Sequence, residues 1–152
     1  MRTLLVSVLF VLAGGHAMAQ AVTRNAYTPA TDGTRWLEAE SGLRIKVLVE
    51  PSNLGETLVE VGEIIFPAGY SRAGGAHRHQ STEIFYVLSG TLTHVVNGTA
   101  HVVPPGRVAI VRAGDEVIHR ASTEEVRALV IWAPGGEVER LARVFTVRPI
   151  GE

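Results

Sequence analysis

From Leu43 onward the chain reads as short runs rich in β-branched residues, broken repeatedly by Gly, Pro and Asn. Alternation of that kind marks strands joined by tight turns. It predicts strands over 43–49, 58–66, 84–88, 92–96, 100–103, 108–111 and 126–132. Many short strands with tight turns build an all-β barrel or sandwich. After Pro134-Gly135-Gly136, the apolar residues Val138, Leu141, Ala142 and Phe145 recur at helical spacing, which predicts a short C-terminal helix. Segment 21–40 has no firm period and is expected to wrap the barrel as an N-terminal arm. No internal repeat and no low-complexity tract interrupts the pattern.

One hairpin has a defined register. Asn97-Gly98 between apolar runs is a strong two-residue turn signal, because both turn positions require positive φ. Such a turn sets Val96 against Thr99, Val95 against Ala100 and His94 against His101. A second turn at Ser89-Gly90 is expected to set Val87 against Leu92, Phe85 against His94 and Glu83 against Val96. Side chains alternate faces along a strand. One face would then carry Glu83, Phe85, Val87, Leu92, His94, Val96, Thr99, His101 and Val103, and the opposite face Ile84, Tyr86 and Leu88. The second, apolar face needs cover from a second layer of the fold or from a partner subunit, and a homodimer is the expected assembly.

Composition narrows the field. The 152 residues are 46% hydrophobic and 19% charged, enough apolar matter for one packed domain. A formal net charge of −1, with basic residues scattered, offers no footprint for nucleic acid. The chain opens on Arg2, an apolar run from Leu4 to Ala13, and Ala17-Met18-Ala19, the layout of a signal peptide over 1–19. The run is too short to span a membrane. The expected product is an exported protein, periplasmic or secreted, whose single domain occupies 20–152 with its core at about 43–132. The chain has no cysteine, which excludes disulfides, thiolate zinc and iron–sulfur sites. Any metal must be held by nitrogen and oxygen.

Those ligands are present. His77-Arg78-His79 puts two imidazoles on one side of an extended segment. Glu83 then opens an apolar strand, where a carboxylate is costly unless it is paired or bound to a cation. His119 sits in another short alternating run, Val117 to Ala121. Three imidazoles and one carboxylate would leave a six-coordinate divalent ion two open positions, which suits catalysis. His94 and His101 are read as a pair lining the same pocket beside Phe85, with an exposed cross-strand pair as the alternative. Trp132 is read as a core aromatic and Arg78 as solvated.

The spacing His77-x-His79, three residues, Glu83, six residues, Gly90 resembles the first motif of the cupin superfamily. Gly106, five residues, Arg112-Ala113-Gly114 and then His119 resembles the second. Arg112 stands where the family has Pro, Thr123 where it has Asn, and His119 lies five positions after Gly114 rather than three. Covering roughly 43–132, the resemblance implies a double-stranded β-helix, or jelly-roll barrel, with one divalent metal ion in its mouth. The ion would be iron, manganese, nickel, copper or zinc, held by His77, His79, Glu83 and His119. Members include dioxygenases, isomerases, lyases, epimerases and metal-free binding domains, so the fold alone does not settle the function. The expected activity is that of a small quercetinase-like dioxygenase acting on an oxygenated organic substrate, with Glu83 also serving as base. Two alternatives are a non-redox isomerase or lyase and a periplasmic small-molecule binding module without turnover.

Overall fold

The computed structural model describes residues 30–71 and 75–151. The signal-peptide segment 1–19 and the first part of the arm lie outside the described residues. Residue contacts divide the chain after Ala30, and the unit Thr31–Glu152 is described below.

Eleven strands and two short helices make up this unit. They are β1 (Arg35–Glu38), β2 (Arg44–Val49), α1 (Pro51–Leu54), β3 (Glu60–Phe66), β4 (His77–Arg78) and β5 (Thr82–Ser89). There follow β6 (Leu92–Val96), β7 (Thr99–Val103), β8 (Val108–Val111), β9 (Glu116–Ala121), β10 (Val126–Ala133), α2 (Glu137–Ala142) and β11 (Thr146–Pro149). A seven-stranded sheet runs β11-β1-β2-β3-β10-β5-β8, and a four-stranded sheet runs β4-β9-β6-β7. All pairings are antiparallel. The architecture is the all-β jelly-roll barrel with a short C-terminal helix.

Burial alternates along the strands as a two-sheet core requires. Val126, Ala128, Val130 and Trp132 of β10 are buried, and so are Glu83, Phe85 and Val87 of β5. From the other sheet come Leu92 and His94 of β6 with Val117 and His119 of β9. Val138 and Leu141 of α2 join the same core.

The β6–β7 hairpin has the expected register, His94 facing His101. Asn97 and Gly98 take φ of 48° and 83°, and Asn97 is anchored by its own backbone and side chain to Asp115 and Glu116. The second expected hairpin does not form. β5 pairs with β10 and β8, while β6 pairs with β9 and β7, so Ser89-Gly90 is a crossover between sheets. Gly90 (φ 71°) packs so closely on Glu125 that a Cβ would lie 2.4 Å from its carbonyl oxygen. The turn chemistry at Gly90 is real, but long-range pairing decides where each strand goes. The face deduced from that hairpin still turns Glu83, Phe85, Val87, Leu92 and His94 inward, from two facing sheets rather than one.

The arm is also more ordered than its sequence pattern suggests. Arg35–Glu38 is a strand between β2 and β11, so the sheet extends beyond 43–132 at both ends. Its charged residues pair across strands, Arg148 Nε donating to Glu38 at 2.7 Å.

Candidate metal centre

β4 and the residue after it bring in the first two histidines. His77 pairs with Val117 of β9 and is half-buried, whereas His79 is 6% exposed. β5 delivers Glu83 (2% exposed), and β9 delivers His119 (6% exposed). One ring nitrogen from each of His77, His79 and His119 lies within 4.8 Å of the other two. The ring of His77 meets those of His79 and His119 edge-on at 4.7 and 5.0 Å. Glu83 lies between two of the histidines, Oε1 being 3.5 Å from His79 Nε2 and Oε2 3.5 Å from His119 Nε2.

Those separations exceed a hydrogen bond and match ligand spacing. Donors about 2.1 Å from a shared ion lie roughly 3 to 3.5 Å apart at right to tetrahedral angles. His79 Nε2 and Glu83 Oε2 are buried without a hydrogen-bond partner. Buried polar atoms are rarely left so. Imidazole nitrogens from three histidines brought this close, with a carboxylate oxygen beside them, fit a divalent cation.

Trp132, expected only as a core aromatic, and Glu137, which the sequence did not single out, hold this set in place. Trp132 Nε1 donates to Glu83 Oε1 at 2.9 Å, fixing that oxygen and leaving Oε2 for the centre. Glu137, the first residue of α2, puts Oε2 3.1 Å from His79 Nδ1. Arg140 Nη2 is also 3.1 Å from that nitrogen, which cannot donate to one and accept from the other. Glu137 is the stronger claimant. Burial pushes its carboxyl up, but hydrogen bonds from His79 and Arg140 outweigh burial and hold it at about 2. An ionised carboxylate at Nδ1–H fixes the tautomer whose Nε2 lone pair faces the centre. Arg140 Nε donates to Glu137 at 2.5 Å, and the Gln80 backbone N–H at 3.2 Å. Glu60, fully buried, accepts from the Val138 N–H at 2.9 Å and ties α2 to β3.

Burial raises the pKa of Glu83, and the neighbouring His79 and the Trp132 hydrogen bond oppose it. The surrounding chamber is small, about 30 Å³, walled by Leu43, Ile64, Tyr70, Leu141 and Phe145, with Arg140 as its cation.

The remaining expected site residues divide. His94 is 1% exposed, edge-on to Phe85 at 4.7 Å and to His119 at 4.9 Å, so it does back the ligand set. It reaches His119 as its partner on β9, not through the expected β5 hairpin. His101 is exposed and lies on the far side of His94 from the ligands, in the cross-strand row His119, His94, His101. Arg78 is exposed, as expected, and pairs with Glu116 at 3.1 Å.

Fold and site together define a small jelly-roll barrel with a three-histidine group able to hold a metal ion. Residues 59–133 match the family model of the cupin domain. The chain is a small-domain member of the cupin superfamily. No curated protein matches it. Among solved structures it resembles an RmlC-like cupin from Shewanella frigidimarina NCIMB 400 (TM-score 0.61, 17% identity, covering 76% of this chain and 96% of that one). KdgF from Halomonas sp. gives TM-score 0.58 and 16% identity over 68% of this chain and 89% of that one. A predicted oxalate decarboxylase from Thermotoga maritima gives 0.54 and 18% over 67% and 92%. At these identities the likeness concerns the fold.

Proposed function

We propose that this cupin holds one divalent ion through His77, His79, Glu83 and His119 and is a mononuclear metal-dependent dioxygenase acting on a small oxygenated organic substrate. The observation that carries the reading is the pair of buried, unpartnered donors, His79 Nε2 and Glu83 Oε2, set among the histidines. A redox-active ion bound there supplies Lewis acidity and electron transfer toward dioxygen.

The chain's own residues supply the rest. Glu137 holds His79 in one tautomer and Trp132 holds Glu83 in one orientation. Glu83, its second oxygen beside His119, is the carboxylate placed to take a proton from a substrate hydroxyl. The apolar wall of Leu43, Ile64, Leu141 and Phe145 limits water, and a chamber of about 30 Å³ admits only the oxygenated end of a substrate.

A second reading is a non-redox lyase or isomerase, favoured by Arg140 on the chamber wall, where it would meet a carboxylate or enediolate. The predicted oxalate decarboxylase among the structural relatives lends it support. Oxygen uptake separates the two. Protein loaded anaerobically with iron(II) or manganese(II) and given enediols and flavonols should consume oxygen as substrate disappears. Conversion without oxygen, equally fast with zinc, selects the lyase or isomerase. Retention of a small molecule without conversion contradicts both.

We propose further that the protein is exported after cleavage behind Ala19, on the strength of the N-terminal pattern. Intact mass of the protein from its own host tests this, and a chain retaining Met1 to Ala19 would contradict it.

A further inference from the structure

β7 ends the four-stranded sheet and β8 ends the seven-stranded one. Between these two edges runs a groove of about 490 Å³, far larger than the metal chamber and within the ~300–1,000 Å³ of small-molecule sites. Its walls include Val96, Val103, Val108 and Ala109, and its polar lining is His94, His101 and Arg107, with no carboxylate.

His94 makes this more than an apolar gap. The residue is 1% exposed, yet its Nε2 has no hydrogen-bond partner. Its ring neighbours are Phe85, which has no hydrogen-bonding group, and His119, which approaches edge-on at a centroid distance of 4.9 Å. A buried imidazole nitrogen without a partner is costly, and a ligand atom in the groove would relieve that cost. His101 stands directly across from His94, and Arg107 follows the turn that joins β7 to β8. Arg107, with no acid in the lining, favours an anion, and the valines favour an apolar body beside it.

We propose that this groove is a second ligand site, distinct from the metal centre, for a small organic acid with an apolar body. Its carboxylate meets Arg107 and His101, its body lies on Val96, Val103 and Ala109, and a hydroxyl or carbonyl bonds His94. A strand from a second copy could also lie along the β7 or β8 edge. Backbone pairing alone would hold it, and it would have no use for a buried imidazole or a guanidinium.

The site needs no metal, so the test is run on the full chain both metal-free and zinc-loaded, with 4-hydroxybenzoate as probe and backbone amide shifts as readout. Saturable shifts should appear over 92–96, 99–103 and 107–111 in both forms. Arg107→Gln, and replacement of the probe by 4-hydroxybenzamide, should each weaken binding tenfold or more. His94→Phe should bind benzoate and 4-hydroxybenzoate alike, losing the preference for the hydroxyl. Shifts confined to 77–83 and 119, equal affinity for acid and amide, or no saturation at millimolar probe would overturn the proposal. So would groove amides that move on dilution of the protein and ignore the acid, which would assign the edges to a contact between copies. A protein that binds the acid but no metal would sink the proposed enzyme and leave the groove standing.

Discussion

Glu83 has two oxygens with separate duties, one fixed by Trp132 and the other unpartnered beside His119. Glu83→Gln keeps a neutral oxygen donor of similar reach, whereas His79→Ala removes its donor altogether. Calorimetric titration should therefore find metal affinity reduced less in Glu83→Gln than in His79→Ala, with activity lost in both. Normal binding and turnover in Glu83→Gln would show that Glu83 is neither ligand nor base. Glu137 acts one step back. Glu137→Gln removes the charge that fixes the His79 tautomer, and partners of metal-bound histidines are typically worth ~10–100-fold in affinity or activity. A variant binding metal within twofold of the parent would contradict that role. His94 makes a pH prediction. Burial, aided by the nearby His101, lowers its pKa from 6.5 to about 4, so the unfolded chain takes up the proton first as pH falls. The stability due to neutral His94 is full above pH 6.5 and lost down to about pH 4, by roughly 3 kcal/mol in the metal-free protein. Urea unfolding should show His94→Phe losing less stability than the parent between pH 7 and 4.5, and equal losses would contradict the assignment.

At the scale of elements, strands with their own turn and alternation were legible in the sequence. β6 and β8 have the predicted bounds, and the Asn97-Gly98 register is as derived. Sheet assignment was not legible, because Gly90 looks the same in a hairpin as in a crossover and only packing on Glu125 distinguishes them. β1 and β11 escaped for a related reason. Paired at the sheet's end, they carry charged residues such as Arg35, Glu38 and Arg148, so no apolar alternation announces them. The histidines and Glu83 were legible because imidazole and carboxylate in apolar runs stand out. Glu137 and Arg140 were not, since an acid three residues before a base on a helix reads as a solvated pair. Only the docking of α2, through Val138, Leu141 and the Glu60 carboxylate, turns that pair onto His79.

The whole molecule leaves one apolar face uncovered. Tyr86 and Leu88 on β5 and Val108 and Ile110 on β8 are 42%, 44%, 60% and 55% exposed, and the register sets Tyr86 beside Val108 and Ile84 beside Ile110. No second layer of the described residues covers them. A contiguous apolar patch running from β5 onto the edge strand β8 favours a symmetric homodimer. Light scattering should give a dimer for the parent and a monomer for Tyr86→Glu, and a stable parent monomer would refute the assembly. On the inner side of the same barrel, His77, His79, Glu83 and His119 are placed to form one metal site. Calorimetric titration of the chelator-treated protein with manganese(II) and zinc(II), from pH 5 to 8, tests it most directly. Imidazoles bind metal only when neutral, so one ion should bind per chain with affinity falling steeply below about pH 6. The triple variant His77→Ala, His79→Ala, His119→Ala should bind none. A parent protein that takes up no stoichiometric metal, or binds it with flat affinity across that range, would rule out the three-histidine site.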